Sequence, residues 1–233
     1  MSASPIAYLP VPATAEGLRT LARGRLYDEP PGFAPGEPWH RRSSDFDLNP
    51  EAISELTGGA SLVAASSMPP LKPAAVLIPA IARREISLLF TRRTDHLAAH
   101  AGQIAFPGGK MEPIDAGPLA TALREAREEI GLDPSLVEPL GFLDSYRTGT
   151  GYRITPVVAL IDPAFTLSLD PNEVADAFEV PLPFLMDVAN HQHHVQSIGG
   201  KDRRFHAIEF GERFIWGATA GILRNMHERL FCP

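Results

Sequence analysis

The stretch Arg124–Leu132, with the sequence REAREEIGL, places Glu125, Glu128 and Glu129 close together on one predicted helix. At positions i, i+3 and i+4 the three carboxylates share one helix face, where like charges destabilise the helix. A bound cation removes that repulsion, and convergent carboxylates supply the oxygen ligands that Mg²⁺ and Mn²⁺ prefer. The alternative is a solvated acidic face balanced by neighbouring arginines, which is the commoner meaning of an isolated E-x-x-E-E pattern.

The residues around this stretch favour the metal site. An apolar stripe and the cap Gly131 predict a helix from Leu119 to Gly131. Just upstream, the segment FPGGKMEPID (106–115) contains Gly108 and Gly109, which let the backbone approach a phosphate closely. A glycine loop followed by an acidic helix brings backbone N–H groups, metal and phosphate together.

Apolar, β-rich segments surround the helix. Segments 74–82 and 86–92 flank the charged Arg83–Glu85 and predict a hairpin. Further strands are expected at Leu140–Ser145, Ile154–Ile161, Phe178–Leu182, His206–Phe210 and Arg213–Ile215, with a closing helix at Thr219–Leu230. This alternation predicts an α/β fold in which helices cover a mixed sheet.

The chain before residue 74 is rich in proline, which disfavours long regular elements. We therefore interpret residues 1–70 as an N-terminal extension with short helices at Ala15–Arg25 and Glu51–Leu56. Residues 71–233 then form the main domain.

The composition is that of an ordinary globular protein, with 44% hydrophobic and 21% charged residues. The net charge of −7 argues against a nucleic-acid partner. No apolar run is long enough to span a bilayer, and residues 1–17 lack the pattern of a signal peptide. With its single cysteine, Cys232, the chain is expected to be cytoplasmic.

The acidic stretch and the glycine loop together resemble the signature of the Nudix hydrolases. That signature reads Gly, five residues, Glu, seven residues, then R-E-U-x-E-E-x-G-U, where U is aliphatic. Arg124–Leu132 matches the second half, with alanine at the first aliphatic position. In the first half Gly109 and Asp115 keep the internal spacing, but aspartate replaces glutamate and eight residues separate it from Arg124.

The resemblance implies a Nudix-type α/β/α sandwich with a mixed β-sheet, preceded by the proline-rich extension. It also implies metal-dependent hydrolysis of a nucleoside diphosphate linked to another group. By resemblance the Mg²⁺ or Mn²⁺ ligands are Glu125, Glu128 and Glu129, with Arg124 orienting the glutamates and Gly108 and Gly109 beside the substrate. Glu125 is either a ligand alone or also shares general-base work. A homodimer is a candidate assembly by the same resemblance.

The segment Leu89–Gly109, LFTRRTDHLAAHAGQIAFPGG, is similar to the extra motif of the coenzyme A pyrophosphatase branch. That motif reads roughly L-L-T-x-R-S-x3-R-x3-G-x3-F-P-G-G, and Ala98 stands where it has its second arginine. The resemblance implies that coenzyme A is cleaved to 3′,5′-ADP and 4′-phosphopantetheine. Candidates to bind the 3′-phosphate are Arg92, Arg93 and His100.

Later loops of the family often supply one more acidic ligand or base, for which Glu173 is the candidate; a plain surface acid is the alternative. The cluster His191, His193 and His194 mimics a metal site, but its polar surroundings favour an exposed loop.

Two rival functions stay open. The first is a Nudix hydrolase of another dinucleotide, such as ADP-ribose or NADH, which the missing arginine at Ala98 keeps in consideration. The second is a non-catalytic, nucleotide-sensing Nudix module, against which the three intact glutamates argue.

Overall fold

The computed structural model describes residues 8–31, 44–45, 48–49, 71–96, 100–198 and 200–232. The predicted helix Glu51–Leu56 and the motif position Ala98 lie outside these residues. The strands are β1 (Lys72–Ala82), β2 (Ile86–Arg93), β3 (Ile104–Ala105), β4 (Gly108–Lys110), β5 (Val137–Phe142), β6 (Tyr146–Arg147), β7 (Tyr152–Ile161), β8 (Val174–Pro181), β9 (Gln192–Ile198), β10 (Lys201–Phe210) and β11 (Arg213–Trp216). The helices are α1 (Ala15–Ala22), α2 (Pro118–Ile130), α3 (Leu182–Met186) and α4 (Ala218–Phe231), with 3₁₀ turns at Pro134–Leu136 and Val188–Asn190.

The larger of two sheets is mixed, as the sequence predicts. Strand β1 forms the expected hairpin with β2, in which Ala82 pairs with Ile86, and it runs parallel to β7 along its whole length. Where β1 and β2 separate, β3 pairs with the end of β2 and β4 pairs with the start of β1. The glycine pair Gly108–Gly109 is therefore built into the sheet as strand β4.

Each face of this sheet has its own apolar core. On one face α2 contributes Ala122, Ala126 and Ile130, which pack with Leu77 and Leu89 of β1 and β2. The other face carries the larger core, built mainly from the remaining sheet residues and helices α1, α3 and α4. The acidic helix thus packs on one face of the sheet, with its polar residues at the edge of that core.

Strands β9, β10 and β11 form a second, three-stranded antiparallel sheet. The prediction of a loop at His191–His194 is wrong, because His193 and His194 lie in β9 and pair with His206 and Phe205 of β10, although His193 is exposed as expected. The local sequence is polar, but β9 and β10 are consecutive antiparallel strands separated by two residues, and a Gly-Gly pair at that place in the sequence is a hairpin signal.

The short helix α1 lies within the predicted extension and ends three residues earlier than expected. Its Leu18 is completely buried in the larger core. Arg19 of α1 also forms a two-pronged ion pair with Glu138 of β5, at 2.7 and 2.8 Å. No helix in the described part of the chain is long and apolar enough to cross a membrane.

Candidate active site

Helix α2 is placed by its two ends and its apolar stripe. Pro118 occupies its first turn, where a missing N–H costs nothing, and Gly131 ends it in the left-handed conformation at φ 68°. Ala126 and Ile130 are completely buried against the sheet. This orientation turns Glu125 and Glu129 toward the glycine strand β4 and leaves Glu128 nearer to solvent.

The three glutamates differ strongly in exposure. The side chains of Glu125 and Glu129 are 15% and 4% exposed, whereas that of Glu128 is 59% exposed. Glu128 instead contacts Arg124, with its Oε2 2.9 Å from Nη1. The convergence that helical spacing predicts is therefore present for Glu125 and Glu129, and Glu128 stands at the rim.

The glycine strand leaves room for these carboxylates. A Cβ on Gly109 would stand 2.5 Å from the Glu125 carboxylate, and one on Gly108 would meet the Ala75 carbonyl oxygen at 2.4 Å. A side chain at Gly108 would thus collide with the backbone of β1, and one at Gly109 would displace the Glu125 carboxylate. The backbone N–H of Gly108 lies near the Glu129 carboxylate and opposes the rise of its pKa.

Arg124 is clamped by Asp115, whose role the sequence left undecided. Its Nε and Nη2 donate to the two oxygens of Asp115 at 3.0 and 3.1 Å, and Nη2 also donates to the Lys110 carbonyl. Asp115 further accepts from the Thr121 hydroxyl and the Glu112 backbone N–H. The hydrogen bond from Arg124 holds the pKa of the Asp115 carboxyl well below its usual range. The remaining nitrogen of Arg124, Nη1, reaches Glu125 at 3.0 Å.

Two more predicted residues reach this group from β2 and β8. Arg93 lies on the α2 side, with Nη1 3.8 Å from Oε1 of Glu129. The pairing of β2 with β8 shifts register there: Arg92 faces Asp176 and Arg93 faces Val174, which leaves Ala175 as an extra residue. Such bulges re-aim side chains near functional sites. Glu173 directly precedes β8, in an exposed turn, and its carbonyl accepts from the Thr94 N–H.

Burial and mutual repulsion set the electrostatics of what we call the acidic pocket, meaning Glu125, Glu129 and Glu173. Burial, opposed by Arg93 and reinforced by the charges of Glu125 and Glu173, raises the pKa of Glu129 to about 8. Burial also raises the pKa of Glu125, with Arg124 opposing and Glu128 and Glu173 adding to the rise. Glu125 and Glu129 are therefore poorly solvated, with Glu173 exposed at the edge of the pocket, and in the absence of a cation the raised pKa values favour the neutral carboxyl form.

These residues fit a divalent metal ion by their chemistry. Glu129 Oε2 is buried and has no hydrogen-bond partner, so one ligand atom is open to a cation. The donors are all carboxylate oxygens, which suit Mg²⁺ or Mn²⁺. Within the described residues, no three His, Cys, Asp or Glu side chains already stand close enough to hold an ion. Glu128 would have to leave Arg124 to join the other two glutamates.

Arg92 and His100 are not brought to the acidic pocket. Arg92 pairs with Asp95 at 3.3 Å, and His100 Nδ1 lies 2.7 Å from the Gln103 side-chain oxygen. His191, His193 and His194 lie near α4 and β10 and form no metal cluster among the described residues. The sequence alone did not assign a role to Asp115. Its spacing after Gly109, which matches the signature, is the feature that could have indicated one.

A family model described as "NUDIX domain" matches residues 71–196. Proteins named "Uncharacterized Nudix hydrolase NudL" are similar to the chain at 41% identity over 157 residues, or 67% of this chain. The match spans 80% of the protein from Yersinia enterocolitica (serotype O:8 / biotype 1B) and 79% of that from Yersinia pestis (strain Pestoides F).

Among solved structures, a MutT/nudix family protein from Enterococcus faecalis is similar at 14% sequence identity with a TM-score of 0.45. That similarity covers 77% of this chain and 73% of the other.

Proposed function

Because the chain belongs to the Nudix family, we propose that it hydrolyses the diphosphate bond of coenzyme A and its derivatives. The products are 3′,5′-ADP and 4′-phosphopantetheine, or acyl-phosphopantetheine from an acyl substrate. Hydrolysis of nucleoside diphosphate derivatives is the activity of the family as a whole. The choice of coenzyme A rests on the motif in Leu89–Gly109.

One observation supports that choice most directly. The motif residue Arg93 faces the acidic pocket, 3.8 Å from Glu129, and the motif ends in the two glycines that face Glu125 and Glu129. Arg93 and the closing glycines of the segment thus lie beside the acidic helix, in reach of a nucleotide bound there.

We assign roles to the site residues on this basis. Glu125, Glu128 and Glu129 are the metal ligands, and Glu125 and Glu173 are the candidates for the general base. A divalent ion bound there would neutralise phosphate charge and lower the pKa of the attacking water. Arg124, anchored by Asp115, orients Glu125 and Glu128. Gly108 and Gly109 keep the surface beside the carboxylates open to substrate.

The 3′-phosphate of coenzyme A calls for a basic contact away from the metal. Arg92, Arg93 and His100 are our candidates, and Arg92 and His100 have exposed side chains held only by local partners. One charge-assisted contact contributes about 1.5–3 kcal/mol, or roughly ten- to a hundredfold in kcat/KM.

For the whole molecule we propose a Nudix domain at residues 71–233, preceded by the extension, in a cytoplasmic enzyme that acts on a small molecule. The match of the family model from residue 71 supports the first boundary. A homodimer remains our candidate assembly.

A substrate panel tests the proposal. Coenzyme A, acyl-coenzyme A, 3′-dephospho-coenzyme A, ADP-ribose and NADH are compared with Mg²⁺ or Mn²⁺ present, and kcat/KM is measured for each. We expect coenzyme A to exceed its dephospho form by about tenfold or more. Equal values for the two forms would show that the 3′-phosphate is not recognised.

A second candidate is hydrolysis of ADP-ribose or NADH, favoured by the absence of the motif arginine at Ala98. In that case ADP-ribose or NADH would have the highest kcat/KM of the panel, and coenzyme A would be a poor substrate. A nucleotide-sensing module without activity would turn over none of them.

A further inference from the structure

Arg93 and Glu129 form a loose ion pair. Their nearest atoms, Nη1 and Oε1, are 3.8 Å apart, which is beyond hydrogen-bonding distance. By contrast, Arg124 makes hydrogen bonds of 3.0 and 3.1 Å to Asp115. The guanidinium of Arg93 is therefore close enough to offset the charge of Glu129 but is not locked to it.

Both members of this pair retain unsatisfied polar atoms. Nε of Arg93 and Oε2 of Glu129 are buried and have no hydrogen-bond partner. Leaving such atoms unpaired is costly, and the cost is greatest for charged groups. Arg93 and Glu129 would therefore both be better satisfied if each bound another group in place of the other.

We propose that Arg93 serves as the counter-ion of the acidic pocket until a divalent ion binds, and that the ion then releases its guanidinium to a phosphate of the substrate. This inference rests on the function proposed above. A metal ion and a guanidinium compete for the same carboxylate, and a guanidinium freed from it has the planar donor fork that matches a phosphate. Arg93 would thus couple metal binding to substrate binding.

The exchange predicts opposite effects of one substitution on two ligands. In Arg93→Gln the metal ion no longer competes with a guanidinium, so Mn²⁺ alone should bind about fivefold or more tightly, in line with typical coupling between sites. The substrate loses a phosphate contact, so KM should rise. A residue that only supports the fold would weaken both kinds of binding when replaced.

Mn²⁺ affinity is measured by electron paramagnetic resonance of free Mn²⁺, without substrate and without turnover. Arg127→Gln is the matched control, because it removes one positive charge from an exposed position of the same helix, α2. Mn²⁺ affinity that is unchanged or weaker in Arg93→Gln, or equally increased in the control, would overturn the inference. If Arg93→Gln does not fold, Arg93→Met keeps the apolar stem and serves the same comparison.

Glu129→Gln separates this inference from the proposed function. If wild type binds no Mn²⁺, or Glu129→Gln binds it as well as wild type, the metal assignment fails and the exchange fails with it. If Mn²⁺ binding depends on Glu129 but Arg93→Gln does not tighten it, only the exchange is wrong.

Discussion

At the scale of single residues, Asp115 explains how Arg124 can contact Glu125 and Glu128 at the same time. The carboxylate of Asp115 is 3% exposed and holds two nitrogens of the guanidinium, which leaves the third for Glu125 and Glu128. Asp115 departs from the signature in spacing and in side-chain length, but it still anchors Arg124. The loop before α2 is shaped around this carboxylate, because Glu112 and Thr121 also donate to it.

The first prediction concerns this anchor. Asp115→Asn removes a charge-assisted acceptor, so the free energy of unfolding should fall by about 1.5–3 kcal/mol. Turnover should fall as well, because Arg124 loses its fixed position. Urea denaturation and steady-state kinetics measure the two effects. Glu112→Gln, at an exposed position of the same loop, is the control and should leave both unchanged.

The second prediction concerns the metal helix. Glu128→Gln keeps the size of the side chain while removing one ligand charge, so turnover should fall by about two orders of magnitude, roughly 3 kcal/mol of barrier. Folding should survive, since Glu128 is exposed. Near-wild-type turnover at saturating Mg²⁺ would exclude Glu128 as a ligand. Arg127→Gln, on the neighbouring exposed position, should retain activity.

At the scale of elements, helix α2 and the β1–β2 hairpin could be predicted from sequence because their signals are local. The apolar stripe and Gly131 determine the helix, and Arg83–Glu85 mark the turn of the hairpin. Strand β9 was missed because its composition is polar, although its pairing with β10 is local and the Gly-Gly pair between the two strands is a hairpin signal. The sequence placed three glutamates on one face, but it could not show the orientation of Arg124, which Asp115 fixes and which brings its Nη1 to Glu128 one turn away.

The third prediction tests the packing of β4 against α2. In Gly109→Ala the new Cβ would stand 2.5 Å from the Glu125 carboxylate. Because that carboxylate ends a flexible side chain, it should move aside and the fold should persist. A displacement of about 1 Å at a catalytic group can cost roughly a hundredfold in kcat/KM. Gly117→Ala is the control, since no neighbour lies within 4 Å of its Cβ position.

At the scale of the whole molecule, histidines join the second sheet to α4. His193 and His206 lie with ring centroids 4.8 Å apart, and His191 and His227 lie 5.7 Å apart. Burial lowers the pKa of His206 to about 4, with His193, Arg224 and His191 adding to the effect. Burial also lowers the pKa values of His191 and His227. This junction is therefore built for neutral imidazoles.

The fourth prediction is the resulting dependence of stability on pH. Between about pH 6.5 and pH 4 the unfolded chain binds a proton at His206 that the folded protein does not. The contribution of His206 to the free energy of unfolding should therefore fall as the pH is lowered through this range, opposite in sign to that of Glu129, whose pKa is raised. Urea denaturation at several pH values measures it as a difference: the free energy of unfolding of wild type relative to His206→Gln should decrease from about pH 6.5 to pH 4. His100→Gln, at an exposed position, should keep the wild-type slope.

The identity of the products tests the central claim most directly. An acyl-coenzyme A is incubated with the enzyme and Mg²⁺ in ¹⁸O-water, and the separated products are identified by mass spectrometry. We expect 3′,5′-ADP and acyl-phosphopantetheine with its thioester whole, one of the two carrying ¹⁸O on its new phosphate oxygen, and no reaction with EDTA. Release of free coenzyme A, or turnover that persists without a divalent ion, would contradict the account.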